Sequence, residues 1–526
     1  MDYMDYTTEQ TDIFKAVEDT GDNIAIVARA GTGKTTTLVG IAERLEHKEH
    51  ILAVSFSKDT TEELGNRMPS NTEAVTLNAL GNRALSSLIK KRTQVERFKL
   101  GNLIKDYCNM DPALRAHWAE LRDLIKFARY DGIVPTGCSI PNTPLTLDTD
   151  QAWLDTINRK NMELPTTKHH LNMYRQILRD CNDETAKGTI DFDDMLYAAA
   201  CFHVKLIQPS ILMVDEAQDL SSLQHEMVRK MMGEHTRLII CGDPMQAIYA
   251  FRGASSNSMD QMSELFDCVT KPLTISFRCS KSVIKEAQSI VPDIKAWESN
   301  DEGKVVPAQE WSLNDIHPGD AILCRHTAPL VSMIYSLVGY GTPATVLGRD
   351  IGKDLKKLLK QLCKNKIKIS CDDMLDKLNQ WELKQKKIAF SKGDPAIQES
   401  AIDKAESIRI VYSHSWDANT VEDLFDDIDK VFSVGHEKKV ELSTIHKVKG
   451  MEWDNVFILD SHLIGSKKYK NKKKSSTNAA LPVGDSYEDQ EKNLKYVAVT
   501  RARRTLTYIN TNQEISLGDD GDVANG

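Results

Sequence analysis

A lysine and a threonine stand side by side at the end of a glycine-containing loop, Lys34 and Thr35 in the run IAIVARAGTGKTTTLVG over 24–40. An ammonium and a hydroxyl so placed can hold a phosphate and a divalent cation. Gly31 and Gly33 allow the backbone to curl, so that N–H groups along Ala28, Arg29, Ala30, Gly31, Thr32, Gly33 and on to Thr36 can point at one anion. The N-terminus of the next helix adds its dipole. The pattern is G-x-x-x-x-G-K-[ST] with Ala28 in the first glycine position. Two acids, Asp215 and Glu216, follow the apolar run ILMV; the first suits Mg²⁺ ligation and the second activation of a water. Gln246, in GDPMQ, could sense a terminal phosphate. Without chemistry, the loop is a strand-to-helix turn and the acids are a helix cap; phosphate and metal parts in one chain favour chemistry.

These residues need strands to carry them. The apolar stretch 24–27 reads as a buried strand with a helix from Thr35, and ILAVSFSKDTTEEL repeats strand then helix, the rhythm of a parallel sheet. Further buried strands are expected at 211–214 and 238–241, and LTISFRCSKSVI repeats the strand-then-arginine arrangement with Phe277 and Arg278. In open α/β sheets ligands bind at the carboxyl ends of strands, where Phe56 and Lys58 fall. Phe56 is either core or a platform on which a base stacks. Another such edge is expected at 74–80, where Thr76 and Asn78 could hold a phosphate oxygen. Tyr249, Phe251 and Arg252 bring aromatics and a charge to the same side. Ahead of the loop, 6–17 reads as a helix capped by Thr7 or Thr8. Its Gln10 is either a surface residue or an amide that pairs with adenine.

At 526 residues the chain should hold about three to four domains. Ten cysteines without C-x-x-C pairs or zinc spacing point to reduced thiols in the cytoplasm. No apolar run approaches the ~20 residues of a membrane helix, and no signal peptide opens the chain. A net charge of −9 argues against a wholly basic coat protein for nucleic acid, yet permits a basic channel on an acidic enzyme.

In order along the chain, AGTGKT, AVSFSKDTTEEL, VDEAQD, GDPMQAIYAFRGA, ISFRCS, STIHKVKGMEWDNVFI and NLKYVAVTRARRTL resemble the motifs of UvrD/Rep/PcrA-like superfamily 1 DNA helicases. The resemblance runs from Gln10 to about Leu506, insertions apart. It implies an α/β fold of two RecA-like P-loop domains with parallel sheets, each carrying a mostly helical insertion, which sandwich ATP and walk along single-stranded DNA. It implies that Gln10 reads adenine, that Lys34 and Thr35 serve phosphate and Mg²⁺, and that Asp215 ligates the metal while Glu216 is the catalytic base. Gln246 is implied to couple to the γ-phosphate, and Arg278 and Arg501 to be the arginines presented to it by the second RecA-like domain. Phe277 is similar to an aromatic that stacks on adenine and Glu452 to an acid that holds the ribose. Phe56 and Phe251 are similar to aromatics that stack on DNA bases, and His446 to a residue that links the DNA and nucleotide sites.

The expected domains are 1–84 with 189–270 (first RecA-like), 85–188 (helical insertion), 271–352 with 436–513 (second RecA-like), 353–435 (short helical insertion) and a disordered tail, 514–526. The short second insertion resembles phage-encoded or minimal members and puts the duplex contact and partner binding of full-size relatives in doubt. Lys467, Lys468, Lys470, Lys472, Lys473 and Lys474 form either a solvated loop or a DNA-backbone contact. The implied activity is an ATP-dependent helicase moving 3′ to 5′ on single strands toward duplex junctions, a monomer working with replication or repair proteins. Alternatives are a translocase that strips proteins and unwinds weakly, a P-loop small-molecule kinase, and a non-catalytic DNA-binding relative.

Overall fold

Strands that are apolar along their whole length need cover on both faces, and that is how this chain folds. The structure, a computed structural model, describes residues 6–45, 47, 50–55, 57–160, 162–248, 257–308, 311–347, 351–392, 395–432, 438–465 and 487–511. Phe56, Tyr249, Phe251, Arg252, the 467–474 lysines and the 514–526 tail lie outside the described residues. The chain divides into two units, the first ending at Thr274 and the second starting at Ile275.

In the first unit β1 (Ile24–Ala28), β2 (Ile51–Ser55), β3 (Thr72–Thr76), β4 (Ile211–Val214), β5 (Arg237–Gly242) and β6 (Val269–Leu273) form one sheet in the order β3-β2-β4-β5-β1-β6. Every pairing is parallel. Successive strand residues point to opposite faces, and the core divides accordingly. Ala25, Leu52, Val54, Leu212 and Ile240 pack in one cluster, whereas Ile24, Ile26, Ala53, Met213 and Ile239 pack in another. Asp215 and Asp243 follow directly on the apolar runs of β4 and β5.

The helices begin where side chains cap them. Thr7 caps α1 (Thr8–Asp19), its hydroxyl accepting from Gln10 N at 3.1 Å while Gln10 Oε1 accepts from Thr7 N at 3.0 Å. The helix α2 (Lys34–Arg44) starts one residue ahead of the expected Thr35. After β2 comes α3 (Lys58–Arg67), and after β3 comes α4 (Leu77–Ile89). The edge expected over 74–80 therefore turns helical at Leu77, because the Thr76 hydroxyl accepts from Ala79 N at 3.2 Å and opens α4. β6 reaches Leu273, past the expected boundary at 270.

Helices between Lys99 and Lys187 enclose their own core around Trp153 and Tyr174. A buried ionic group ties them to the helix Phe192–Cys201. Lys99 Nζ lies 2.7 Å from Asp194 Oδ2, and Arg129, fully buried, lies 2.9 Å from Asp191 and 3.2 Å from Asp194.

In the second unit β7 (Lys304–Val306), β8 (Ala321–Cys324), β9 (Ala344–Val346), β10 (Val440–Thr444), β11 (Trp453–Leu459) and β12 (Ala502–Ile509) form another parallel sheet, ordered β7-β12-β11-β8-β10-β9. Its insertion has the helices Ile351–Leu362, Cys371–Lys392, Pro395–His414 and Val421–Val431. Met374, Leu378, Ile408 and Leu424 form their shared core. Asp403 of the insertion accepts from Thr327 N at 2.9 Å and Ala328 N at 2.7 Å, so it caps the sheet-side helix Thr327–Gly339. Among the described residues no helix is long and apolar enough to cross a membrane.

Candidate active site

The loop after β1 is built to face an anion. Gly31 (φ 71°) and Gly33 (φ 77°) take the left-handed conformation, which a side chain disfavours. The chain is anchored on either side of the curl: Arg29 N donates to Leu273 O at 2.8 Å, the Thr32 hydroxyl to Arg29 O at 2.9 Å, and Thr37 N to Gly33 O at 2.8 Å. Ala28 and Ala30 are fully buried, so larger side chains have no room there. Along 31–36 the backbone amides find no acceptor among the described residues, which leaves successive N–H groups at a helix N-terminus for phosphate oxygens.

The charged side chains converge on this loop from β1, β4 and β5. Lys34 Nζ donates to Glu216 Oε1 at 2.7 Å. Burial alone would lower the lysine, yet the carboxylates of Glu216 and Asp215 outweigh it and hold the ammonium above its ordinary range. Asp215, 3% exposed, is pushed up to about 6 by burial and then by the Glu216 charge. Two adjacent carboxylates under one ammonium form a site that a divalent cation would relieve. Glu216 is held at φ 53°, unusual for a residue with a side chain, which turns its carboxylate from the strand direction toward Lys34. The hydroxyl of Thr35 makes no hydrogen bond among the described residues; with Asp215 it offers the hard oxygen ligands that suit Mg²⁺. Thr36 accepts from Arg67 at 2.8 Å.

Gln246 donates to Asp243 Oδ2 at 2.7 Å, and Arg29 lies 3.7 Å from Asp243 Oδ1. The link from this group to Glu216 is a residue that sequence reasoning missed. Gln218, fully buried, donates to Glu216 Oε2 at 2.5 Å and accepts from Asp243 N at 3.1 Å. Its signal was the polar residue two places after the acids in VDEAQD, and Asp243 stood in GDPMQ beside Gln246. Gly242 must lack a side chain, since a Cβ there would sit 2.2 Å from Gln218 Oε1. Gln10 is 3% exposed, not a surface residue, and donates to Thr37 Oγ1 on α2 at 3.0 Å.

At the carboxyl edge of β2 and β3 the expected residues serve local structure. Lys58 is exposed and pairs with Glu62 at 3.2 Å. Thr76 caps α4, and Asn78 donates to Phe192 O at 3.3 Å. Phe192 itself, 61% exposed, is an aromatic at this edge that sequence reasoning passed over.

Within the second unit Arg278, Glu452 and Arg501 come together. Arg278 pairs with Glu452, while Arg501, 1% exposed, donates to Val497 O and Met451 O, each at 3.0 Å. Burial and then the neighbouring Arg278 charge push Arg501 down to about 10. Two guanidiniums beside one carboxylate leave positive charge to which a phosphate is the natural complement. In this arrangement Glu452 faces a guanidinium rather than standing alone for a ribose. Phe277, 38% exposed, lies 5.2 Å from the Trp297 ring. His446 follows β10, and burial, with Arg325 and His326 nearby, pushes it down to about 4, so the imidazole is neutral at neutral pH.

The model of the UvrD/REP helicase N-terminal domain matches residues 9–267, and that of the UvrD-like helicase C-terminal domain matches 396–513. The chain is 25% identical over 320 residues to the ATP-dependent DNA helicase srs2 of Schizosaccharomyces pombe (56% of this chain, 35% of the relative). It is 24% identical over 524 residues to F-box DNA helicase 1 of Gallus gallus (95% and 48%), and 23% identical over 329 residues to the ATP-dependent DNA helicase UvrD1 of Mycobacterium leprae (56% and 41%). It spans 35% to 48% of the length of such curated relatives.

Proposed function

We propose, on the premise that this chain belongs to the UvrD/REP helicase family, that it is an ATP-dependent DNA helicase that moves 3′ to 5′ along single-stranded DNA and opens duplex ahead of it. The observation that carries this reading is the Lys34–Glu216 pair, with Asp215 beside it, beneath a loop of unengaged amides. Lys34 and the 31–36 amides would hold the β- and γ-phosphates. Thr35 and Asp215 would hold Mg²⁺, which when bound draws charge from the phosphate oxygens. Glu216 takes a proton from the attacking water, and Gln218 keeps its carboxylate aimed while coupling it to the loop of Asp243 and Gln246.

Phosphoryl transfer spreads negative charge over the γ-phosphate oxygens, which guanidiniums stabilise, and the family resemblance assigns that role to Arg278 and Arg501. A domain whose affinity for the nucleotide changes through the cycle shifts between states as ATP binds and leaves. DNA gripped by stacking, at about 1–3 kcal/mol per base, then advances, and the exposed ring of Phe192 would offer one such platform. Opening one base-pair step costs about 1.4 kcal/mol of stacking, within reach of such grips. Roles in DNA replication, repair or recombination follow from this activity.

The test is unwinding of 3′- and 5′-tailed duplexes with ATP, beside DNA-stimulated hydrolysis. Unwinding of the 3′-tailed substrate alone supports the reading, and Lys34→Ala should abolish turnover while DNA binding persists. Hydrolysis without DNA stimulation would indicate a small-molecule kinase. The compact insertion at 351–431 favours one second reading, a translocase that displaces proteins and unwinds weakly; strong stimulation with failure on both tailed duplexes would select it.

A further inference from the structure

Arg278 and Phe277 sit between two buried residues whose carbonyls are both held by one side chain. Asn300 Nδ2 donates to Ser276 O at 2.8 Å and to Cys279 O at 2.8 Å. Ser276 and Cys279 are fully buried, so these carbonyls need donors. The amide nitrogen, with two N–H bonds, can serve both at once, whereas the opposite orientation of the amide would set its oxygen against two carbonyl oxygens. Further bonds fix the exit of the segment: Ser280 N donates to Arg503 O at 2.7 Å and the Ser280 hydroxyl to Arg504 O at 3.0 Å.

The same short turn supplies an aromatic floor. Asn300 N donates to Trp297 O at 3.0 Å, closing 297–300, and Trp297 N donates to Ser276 O at 3.0 Å. The Trp297 ring lies 5.2 Å from Phe277 at 44°, backing an aromatic that keeps 38% of its surface exposed. Ile275 and Ser276 pair with Lys295 and Ala296, so the turn is tied to this segment on the other side as well.

We propose that the turn 297–300 is the positioning element of the second unit's nucleotide face, with Asn300 setting Arg278 for the γ-phosphate and Trp297 setting the Phe277 ring for the base. The inference rests on the ATP-hydrolysing reading above. It assigns the two residues separable effects, because one orients a charge used in the transition state and the other a surface used in binding.

The experiment compares DNA-stimulated hydrolysis of ATP, GTP and CTP by the wild-type chain, Trp297→Ala, Trp297→Phe, Asn300→Ala and Asn300→Asp. Trp297→Ala raises KM for ATP about fivefold or more, leaves kcat near the wild-type value and narrows the preference for purine over pyrimidine nucleotides. Trp297→Phe restores most of that loss. Asn300→Ala and Asn300→Asp lower kcat about ten- to a hundredfold for all three nucleotides, as displacement of a charged group by about an ångström does. If the Asn300 variants do not fold, the Trp297 pair decides alone. KM and kcat falling together without regard to the base, or variants indistinguishable from wild type, overturn the proposal. A wild-type chain without DNA-stimulated hydrolysis overturns the nucleotide reading itself, and this inference with it.

Discussion

Replacing Glu216 by Gln should separate the chemistry of the first unit from its stability. The substitution keeps the shape and removes one charge at 2.7 Å from Lys34 Nζ. The general-base contribution is about 10²–10⁴ in rate, so turnover should fall by at least a hundredfold. The effect on folding should be far smaller. The ion pair is partly solvated, with 16% and 23% of the two side chains exposed, and its loss costs about 1 kcal/mol. Against this stands the repulsion between Glu216 and Asp215, which contributes to the rise of Asp215 to about 6 and disappears in the variant. Lys34 keeps Asp215 as a neighbour, so no buried charge is stranded. The net change should lie within about 1 kcal/mol, a shift of roughly 2–4 °C or less in a unit of this size. A coupled ATPase assay, a fluorescent nucleotide titration and calorimetric unfolding measure the three quantities. Turnover within a factor of about three of wild type, with nucleotide still bound, would falsify the assignment of Glu216 as base.

Other substitutions probe the supports of the sites. Gly242→Ala places a Cβ 2.2 Å from Gln218 Oε1 and 2.7 Å from Met259 Sδ, which breaks the link from Glu216 to Asp243; a loss of about 1–3 kcal/mol by denaturant titration and a parallel loss of turnover are expected. Arg129→Ala takes the guanidinium from the buried Asp191 and leaves Asp194 with Lys99 alone, and should cost about 3–5 kcal/mol, read as a drop in the melting temperature; a change under about 1 kcal/mol would show that the ionic group does not bind the insertion to its neighbour. His225, pushed down to about 4 by burial, is neutral when folded, whereas the unfolded imidazole titrates near 6.5. Its contribution to stability is present above about pH 6.5 and is lost as pH falls toward 4. Melting temperatures at pH 7 and 5 should converge in His225→Asn, and an unchanged pH slope would refute the assignment.

The residues legible in the sequence are those whose chemistry depends on local spacing. The glycines, Lys34 and Thr35 lie within one strand-loop-helix unit, where left-handed φ and the helix N-terminus are set by neighbours in the chain. Asp215 follows four apolar residues, and a strand buried on both faces can place an acid only at its end. Helix starts within a residue or two were legible for the same reason, since capping is local. Where a side chain both caps and could bind, as at Thr76, the pattern did not say which use the fold makes of it.

Everything that joins distant segments was decided by tertiary structure. That Gln218 bridges Glu216 to the backbone of Asp243 follows from β4 and β5 being neighbours, which no window of the sequence contains. By its local pattern alone Gln10 reads as a solvated helix residue, and its burial against Thr37 comes from the packing of α1 on α2. Arg278 stands more than 170 residues ahead of Glu452 and Arg501 in the chain, and only the folding of the second unit sets a carboxylate beside two guanidiniums. Local spacing determines which groups exist and which way the chain turns beside them. The pKa of Asp215, the pairing of Glu452 and the hold of Asn300 on its two carbonyls depend on burial and on neighbours through space, and those arise only when the sheets assemble.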